Sequence, residues 1–214
     1  DRYLYVAADV YRLPFINGVF DGGTMIRTLH HMADPALALA QVRRVMAPGG
    51  IFVLEFANKR NMKAILRYAL GKQSWNPFAE EPVEFAALNF DFHPKAVRRY
   101  LREAGFEIGR QLTVSHFRVG FLKRLVPVRL LAGMDGLLQW TGRWLQVSPS
   151  VFTRCEVLEG EFPGSNDRPG GDSIFQCPSC GTPLEGSETD LHCEGCGADW
   201  AYRDGIYDFR IQDQ

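Results

Sequence analysis

The chain has 214 residues, 46% of them hydrophobic, with a formal net charge of −1. That length and composition can bury one real core plus a small module. No apolar run reaches the roughly 18 residues of a membrane span, and no signal-peptide pattern occurs, which excludes a transmembrane reading. The near-zero charge hides a segregation: fifteen Lys/Arg against seven Asp/Glu between Ala57 and Val147, then three against thirteen from Glu156 onward. A basic middle and an acidic tail half can attract one another, meet an anionic partner, or stay separately solvated.

In chain order, an apolar run from Tyr3 to Ala8 stops at Asp9, followed by Leu13-Pro14-Phe15 and a polar turn at Asn17-Gly18. Phe20 to Leu29 is almost continuously apolar, as in a strand buried on both faces, and leads into His30-His31. Asp34-Pro35 reads as an N-cap followed by proline at the first helical position. Leu37, Leu39, Ala40, Val42, Val45 and Met46 recur at helical spacing with Arg43-Arg44 outward, and Pro48-Gly49-Gly50 ends that helix. A third buried strand covers Ile51 to Phe56. Strand and helix alternating through short turns predict a parallel sheet with crossover helices, whose ligands bind beyond the carboxyl ends of the strands. Asp9, the Met25–His31 segment and Glu55 fall at those ends.

The ordered pieces Asp9-Val10, Leu13-Pro14-Phe15, Phe20-Asp21, Leu29-His30-His31, Arg44-Val45 and Pro48-Gly49-Gly50 closely resemble the second half of the class I S-adenosylmethionine-dependent methyltransferase domain, in its quinone- and small-molecule-modifying branch. The resemblance implies that Asp9 reads the adenine amino group of S-adenosylmethionine, with the backbone of Val10 on the ring. It implies that Ile26, Arg27 and His31 lie by the methionine part of the cofactor. His31 is the candidate acid–base residue, because imidazole can take a proton from a hydroxyl or phenol during methylation. Family members that methylate the exocyclic amine of adenine carry an Asn/Asp-Pro-Pro-aromatic sequence where this chain reads Ile26-Arg27-Thr28-Leu29, so transfer to oxygen or carbon is expected. Alignment of nucleophile, methyl and sulfur supplies most of such catalysis.

The family's glycine-rich loop and the acid ending its second strand are expected ahead of Asp1, and no G-x-G-x-G occurs in the chain. The expectation is therefore a domain truncated at its start, without the two strands that the family places between the first strand here and the one at Phe20. Such a chain would bind the cofactor poorly on its own.

Farther along, Ala57 to Asn89 has weak periodicity apart from a short basic helix, Met62 to Leu70, and is read as a substrate cover (57–92). His93-Pro94 opens a helix closed by Gly105. Phe106 to Val119 alternates as one long strand, with Ser150 to Leu158 as its antiparallel return. Between them, 121–147 is a strongly apolar helical insertion carrying Lys123, Arg124, Arg129 and Arg143. It is open to three readings: packing on the sheet or on a second copy in a homodimer, an apolar lid, or contact with a membrane or lipid-like substrate.

Glu161 to Asp172, EFPGSNDRPGGD, is the clearest linker. Beyond it, Cys177-Pro178-Ser179-Cys180-Gly181 and Cys193-Glu194-Gly195-Cys196-Gly197 form two C-x-x-C-G knuckles spaced to hold one structural Zn2+ on four thiolates. The ligands stand in for the core that so short a segment cannot supply. The rival pair of disulfides needs an oxidising compartment and no such glycines. Cys155 lies outside the pattern and reads as a buried thiol. Leu191, the four cysteines, Trp200, Tyr202 and Asp204-Gly205-Ile206 resemble the zinc-ribbon family of small methyltransferase activators, the Trm112-like domains. That resemblance implies an intramolecular scaffold role for the ribbon.

The sequence thus predicts an α/β protein: a partial Rossmann-like methyltransferase sheet with helices on both faces over 1–160, a linker at 161–173 and a zinc ribbon at 174–214, in a cytoplasmic setting. The expected activity is S-adenosylmethionine-dependent methylation of a small, apolar acceptor. Two other readings stand beside it: an RNA or translation-factor methyltransferase that uses the ribbon for partner binding, and a non-catalytic zinc-binding interaction protein. The strongly acidic ribbon argues against its gripping RNA directly.

Overall fold

The computed structural model describes residues 3–117, 120–158, 174–186 and 189–211; the expected linker at 161–173 lies outside them. In chain order the elements are β1 (Tyr5–Ala7), β2 (Phe20–Met25), α1 (Pro35–Val45), β3 (Met46–Ala57), α2 (Met62–Ala69), β4 (Val83–Ala86), β5 (Asn89–Asp91) and α3 (Pro94–Glu103). Then follow β6 (Phe106–Val114), α4 (Gly120–Leu125), α5 (Val128–Leu138), β7 (Ser150–Val157), β8 (Leu191–His192), β9 (Asp199–Arg203) and β10 (Ile206–Asp208). Single 3-10 turns occur at Leu29–His31 and Gln139–Arg143.

The main sheet has the order β2-β3-β7-β6, with β2 and β3 parallel and the other pairs antiparallel, the mixed sheet of a Rossmann-like α/β fold. Strand alternation puts Phe52, Leu54 and Phe56 of β3 on one face beside Val151, Cys155 and Val157 of β7. There they pack against Ala38 and Leu39 of α1 and Val97 and Leu101 of α3 in one continuous cluster. Each fully buried Phe, Leu or Val among them contributes about 1.5–3 kcal/mol. The helix start works as read: the Asp34 carboxylate accepts from Leu37 N at 2.9 Å, with Pro35 in the first turn. Its end does not: α1 stops at Val45, and Met46 and Pro48-Gly49-Gly50 lie within β3, which begins ahead of the expected Ile51. Arg43 and Arg44 are not outward. Arg43 is buried and donates to Gly105 O, and Arg44 ties Leu13 O, Phe15 O and Asn17 Oδ1 to the helix.

Three strand expectations need correction. The first run does not join the main sheet: β1 pairs in parallel with β10, Tyr5 opposite Ile206, in the second sheet, of order β1-β10-β9-β8. The second strand stops at Met25 and is half exposed, because β3 is its one partner among the described residues. Among the described residues its outer edge is unpaired. The third, β6, ends at Val114. The segment read as a cover contains α2 and the antiparallel hairpin β4–β5.

The cysteine-bearing segment also has more core than expected. Phe175, Leu184, Leu191, Trp200, Tyr207 and Phe209 are buried together, with Val6, Ala8 and Phe15 from the chain's start packed against them. Phe15 stacks on Phe175 at 5.7 Å, Gln176 N donates to Pro14 O and Ile16 N to Ile174 O. Leu13-Pro14-Phe15 is therefore a docking point for the cysteine segment, where the sequence suggested packing of its own loop.

His93 caps α3 by accepting from Lys95 N at its Nδ1, 3.2 Å, which requires a neutral ring. Burial, reinforced by Arg60, lowers its pKa to about 4 from 6.5. The folded form therefore binds fewer protons than the unfolded chain between these values. The stability this contributes is complete above pH 6.5 and lost as pH falls through 4. Urea unfolding at pH 7 and about pH 4.5 should show a loss of roughly 2–3 kcal/mol that His93→Asn, which keeps a cap, largely removes. Equal acid sensitivity in the two proteins would exclude this role.

Candidate active site and four-thiol centre

The parallel strands β2 and β3 end side by side, and their carboxyl ends are joined by Glu55. This residue is 8% exposed, and its carboxylate accepts Arg27 N at Oε2, 2.8 Å, and the Ser150 hydroxyl at Oε1. Arg27 sits at φ 57, in the left-handed region that costs a residue with a Cβ about 1–2 kcal/mol. The buried carboxylate thus holds a strained turn at the sheet edge, a placement common at ligand clamps. Ile26 and Arg27 are exposed at this end.

The 3-10 turn that follows carries His30 and His31, ring centroids 4.0 Å apart. Leu29 anchors the turn in the core at zero exposure. His31 Nδ1 lies 3.1 Å from Leu88 O at the tip of the β4–β5 hairpin. A carbonyl only accepts, so Nδ1 carries the hydrogen and Nε2 of the neutral ring is left as a base. Burial and then the neighbouring His31 lower the pKa of His30, with Glu55 opposing.

Asp9 opens a turn: its Oδ1 accepts Tyr11 N at 2.9 Å, and its carbonyl accepts Arg12 N. Val10 and Tyr11 lean on the main core, and the Tyr11 hydroxyl accepts Asp34 N at 3.1 Å. The Asp9 loop is thereby tied to the helix start three residues beyond His31. Sequence reasoning noted Glu55 only by position. The buried Asn58 was missed: its Nδ2 donates to Gln146 O and Ser148 O, and its Oδ1 accepts Arg60 N. Lys59, also buried, donates to Glu81 O and was likewise missed. A polar run, Asn58-Lys59-Arg60-Asn61, ending a buried strand is the signal that was available.

Cys177, Cys180, Cys193 and Cys196 converge with all four sulfurs within 4.8 Å of one another. Each knuckle closes the same way: Gly181 N donates to Cys177 O and Gly197 N to Cys193 O, with both glycines at positive φ, 80 and 73. Cys177 and Cys193 are buried, Cys180 and Cys196 exposed. Thr182, then Cys193, hydrogen-bonds to the Cys180 thiol and lowers it to about 6. Ala198 N favours the Cys196 thiolate, but bonds to Cys180, Cys193 and Cys177 outweigh it and raise that thiol to about 12. Thiolates this close repel unless a cation sits among them, so the donor set fits a tetrahedral thiophilic metal. Cys155 is fully buried, and burial raises its thiol to about 12.

Residues 2–54 match the family model described as "Methyltransferase domain". The chain is 38% identical over 73 residues to the ubiquinone/menaquinone biosynthesis C-methyltransferase UbiE of Teredinibacter turnerae, covering 34% of this chain and 28% of that protein. It is 31% identical over 114 residues to the sterol 4-C-methyltransferase strm-1 of Caenorhabditis elegans, covering 48% and 33%. A solved S-adenosylmethionine-dependent methyltransferase from Mesorhizobium loti aligns at 18% identity and TM-score 0.46, over 69% of this chain and 66% of that one. The chain thus spans about a third or less of the length of the curated relatives it matches.

Proposed function

We propose that this chain carries the acceptor-side half of an S-adenosylmethionine-dependent methyltransferase that methylates carbon or oxygen of a small apolar acceptor. The observation that carries the reading is the match of residues 2–54 to the methyltransferase domain, falling on the segments that end at the Glu55-held turn. Relatives named as quinone and sterol C-methyltransferases support the acceptor class. When bound, the cofactor supplies an electrophilic methyl group. The chain's own part is to align the acceptor and to take its proton at His31 Nε2, with Arg27 and Ile26 lining the methionine side and Asp9 and Val10 the adenine side. Glu55 keeps that wall in place.

In this reading residues 1–160 form the methyltransferase portion and 174–214 a zinc ribbon held by Cys177, Cys180, Cys193 and Cys196. The ribbon is an intramolecular scaffold, a role supported by the pairing of β10 with β1 and by Phe15 on Phe175. The glycine-rich turn the chemistry needs is absent from these 214 residues. Strands carrying such a turn would find a place along the edge of β2 that is unpaired among the described residues. Calorimetric titration of the 214-residue chain with S-adenosylmethionine is then expected to show no tight binding. A version extended by a strand, a G-x-G-x-G turn and a second strand should bind it and methylate a demethylated quinol. Tight binding by the chain alone would refute the sheet-completion part. An extended protein that binds the cofactor but methylates no quinol or sterol would remove the acceptor class.

A further inference from the structure

The basic middle and the apolar insertion meet at one place. Between α3 and the 139–143 turn, over Ile108, Gly109 and Gln111 of β6, lies a concavity of about 290 Å3 lined by Arg60, Arg98, Arg102 and Arg143, with no carboxylate in its wall. Arg60 Nε is buried there without a hydrogen-bond partner. Burial, then Arg102 and Arg60, lower the proton affinity of Arg98, a sign that these cations repel one another. Glu80, the acid that acts on Arg98, is itself bound to Arg99 at 2.6 Å. An adjoining groove of about 630 Å3 shares Arg143 and Trp144 and adds Trp140, whose ring lies under the Arg110 guanidinium at 4.0 Å.

The groove opens onto an exposed apolar face. Trp144 is 82%, Leu137 79% and Trp140 63% exposed, and Leu130, Met134 and Leu137 recur along α5 at i, i+4 and i+7. These side chains are firmly presented. A Cβ on Gly142 would stand 2.8 Å from Gln111 O and Thr113 N, so the turn's backbone is pressed onto β6. Thr113 Oγ1 bonds Leu138 O, and Gln146 Nε2 bonds Gln111 Oε1. With Gly142 turned to the strand, Trp140 and Trp144 on either side of it face solvent.

We propose that this face docks in the plane of an anionic phospholipid surface, with lipid phosphates in the arginine concavity and Leu137, Trp140 and Trp144 in the acyl boundary. Charge complementarity selects this occupant. Four guanidiniums without a carboxylate call for an anion, and the aliphatic stripe beside them calls for hydrocarbon. Single-stranded nucleic acid would use the arginines and tryptophans but leave Leu130, Met134 and Leu137 unmatched. An isologous second copy would set the basic patch of Arg124, Arg129 and Arg143 against the same basic patch. Among the described residues no helix is long and apolar enough to cross a membrane, and α5, of 11 residues, suits an in-plane position.

The test is co-sedimentation of the zinc-loaded 214-residue chain with vesicles of phosphatidylcholine alone or mixed with phosphatidylglycerol, read together with tryptophan emission. Binding confined to the anionic vesicles is expected, with a blue shift. The paired variants Arg102→Glu/Arg143→Glu and Leu137→Ser/Trp144→Ser should each weaken it about tenfold or more. All four side chains are exposed, and unchanged melting curves establish that the variants fold. Absence of binding, or equal binding to neutral and anionic vesicles, overturns the proposal. So does salt-sensitive binding of a single-stranded RNA without vesicle binding, or a dimer abolished by Leu137→Ser/Trp144→Ser with no lipid affinity.

Discussion

Cys193→Ser is expected to abolish the proposed zinc site and to loosen the start of the chain along with its end. The four sulfurs lie within 4.8 Å of one another, and Cys193 is among the buried pair. Structural zinc in comparable small sites contributes an apparent 10–16 kcal/mol or so to folding. Loss of a direct ligand should lower affinity by more than the roughly 10–100-fold that changes around the ligands cost. The ribbon's apolar cluster includes Val6, Ala8 and Phe15, and Phe209 N donates to Ala7 O at 2.8 Å. Unfolding of the ribbon therefore frees β1 from β10. Metal analysis should find one zinc per chain in the wild type and well under one in the variant. Hydrogen exchange should accelerate at Tyr5–Ala7 as well as at 191–209, while the core of β3 and β7 stays protected. Cys155→Ser, at a buried thiol outside the centre, should keep its zinc. A metal-free variant with unchanged exchange at β1 would show that the apolar cluster alone holds the ribbon.

What could be read from the sequence was what local chemistry decides. Asp34-Pro35 and His93-Pro94 mark helix starts because cap and proline act within one turn, and both helices begin there. The two C-x-x-C-G knuckles were legible because ligand spacing and a glycine at positive φ are local requirements. The partner of β1 was not legible. An apolar run says that a strand will be covered, whereas β10 lies some two hundred residues away, beyond the basic middle. The apolar content of Phe20–Leu29 suggested burial on both faces, but Gly22, Gly23 and Thr24 give little side chain to bury, and the strand lies at an edge. The arginine concavity is assembled from positions 60, 98, 102 and 143 on separate elements. In the sequence it shows as a charge excess, which a solvated surface would produce equally.

Glu55→Ala should be the most damaging single change at the candidate active site, in stability and in ligand binding alike. Removal of the buried Glu55 carboxylate leaves Arg27 N and the Ser150 hydroxyl, both part-buried donors, without their acceptor. A fully buried unsatisfied donor costs about 1–3 kcal/mol and these two are partly reached by water, so a loss of roughly 1–4 kcal/mol is expected in urea unfolding. Arg27→Gly tests the other half of the arrangement. At φ 57 glycine has no Cβ penalty, so this change should be neutral or stabilising by up to about 1 kcal/mol in the wild-type background. The double variant separates the two roles. If Glu55 holds a strained turn, Arg27→Gly recovers part of the Glu55→Ala loss, with a coupling of about 0.5–3 kcal/mol. Strict additivity would mean that Glu55 stabilises through Ser150 and β7 alone, and the Met25–His31 turn would then keep its shape without it. In that case the strain at Arg27 would have to be maintained by the Leu29 anchor in the core, and the site would owe its geometry to packing more than to the buried carboxylate.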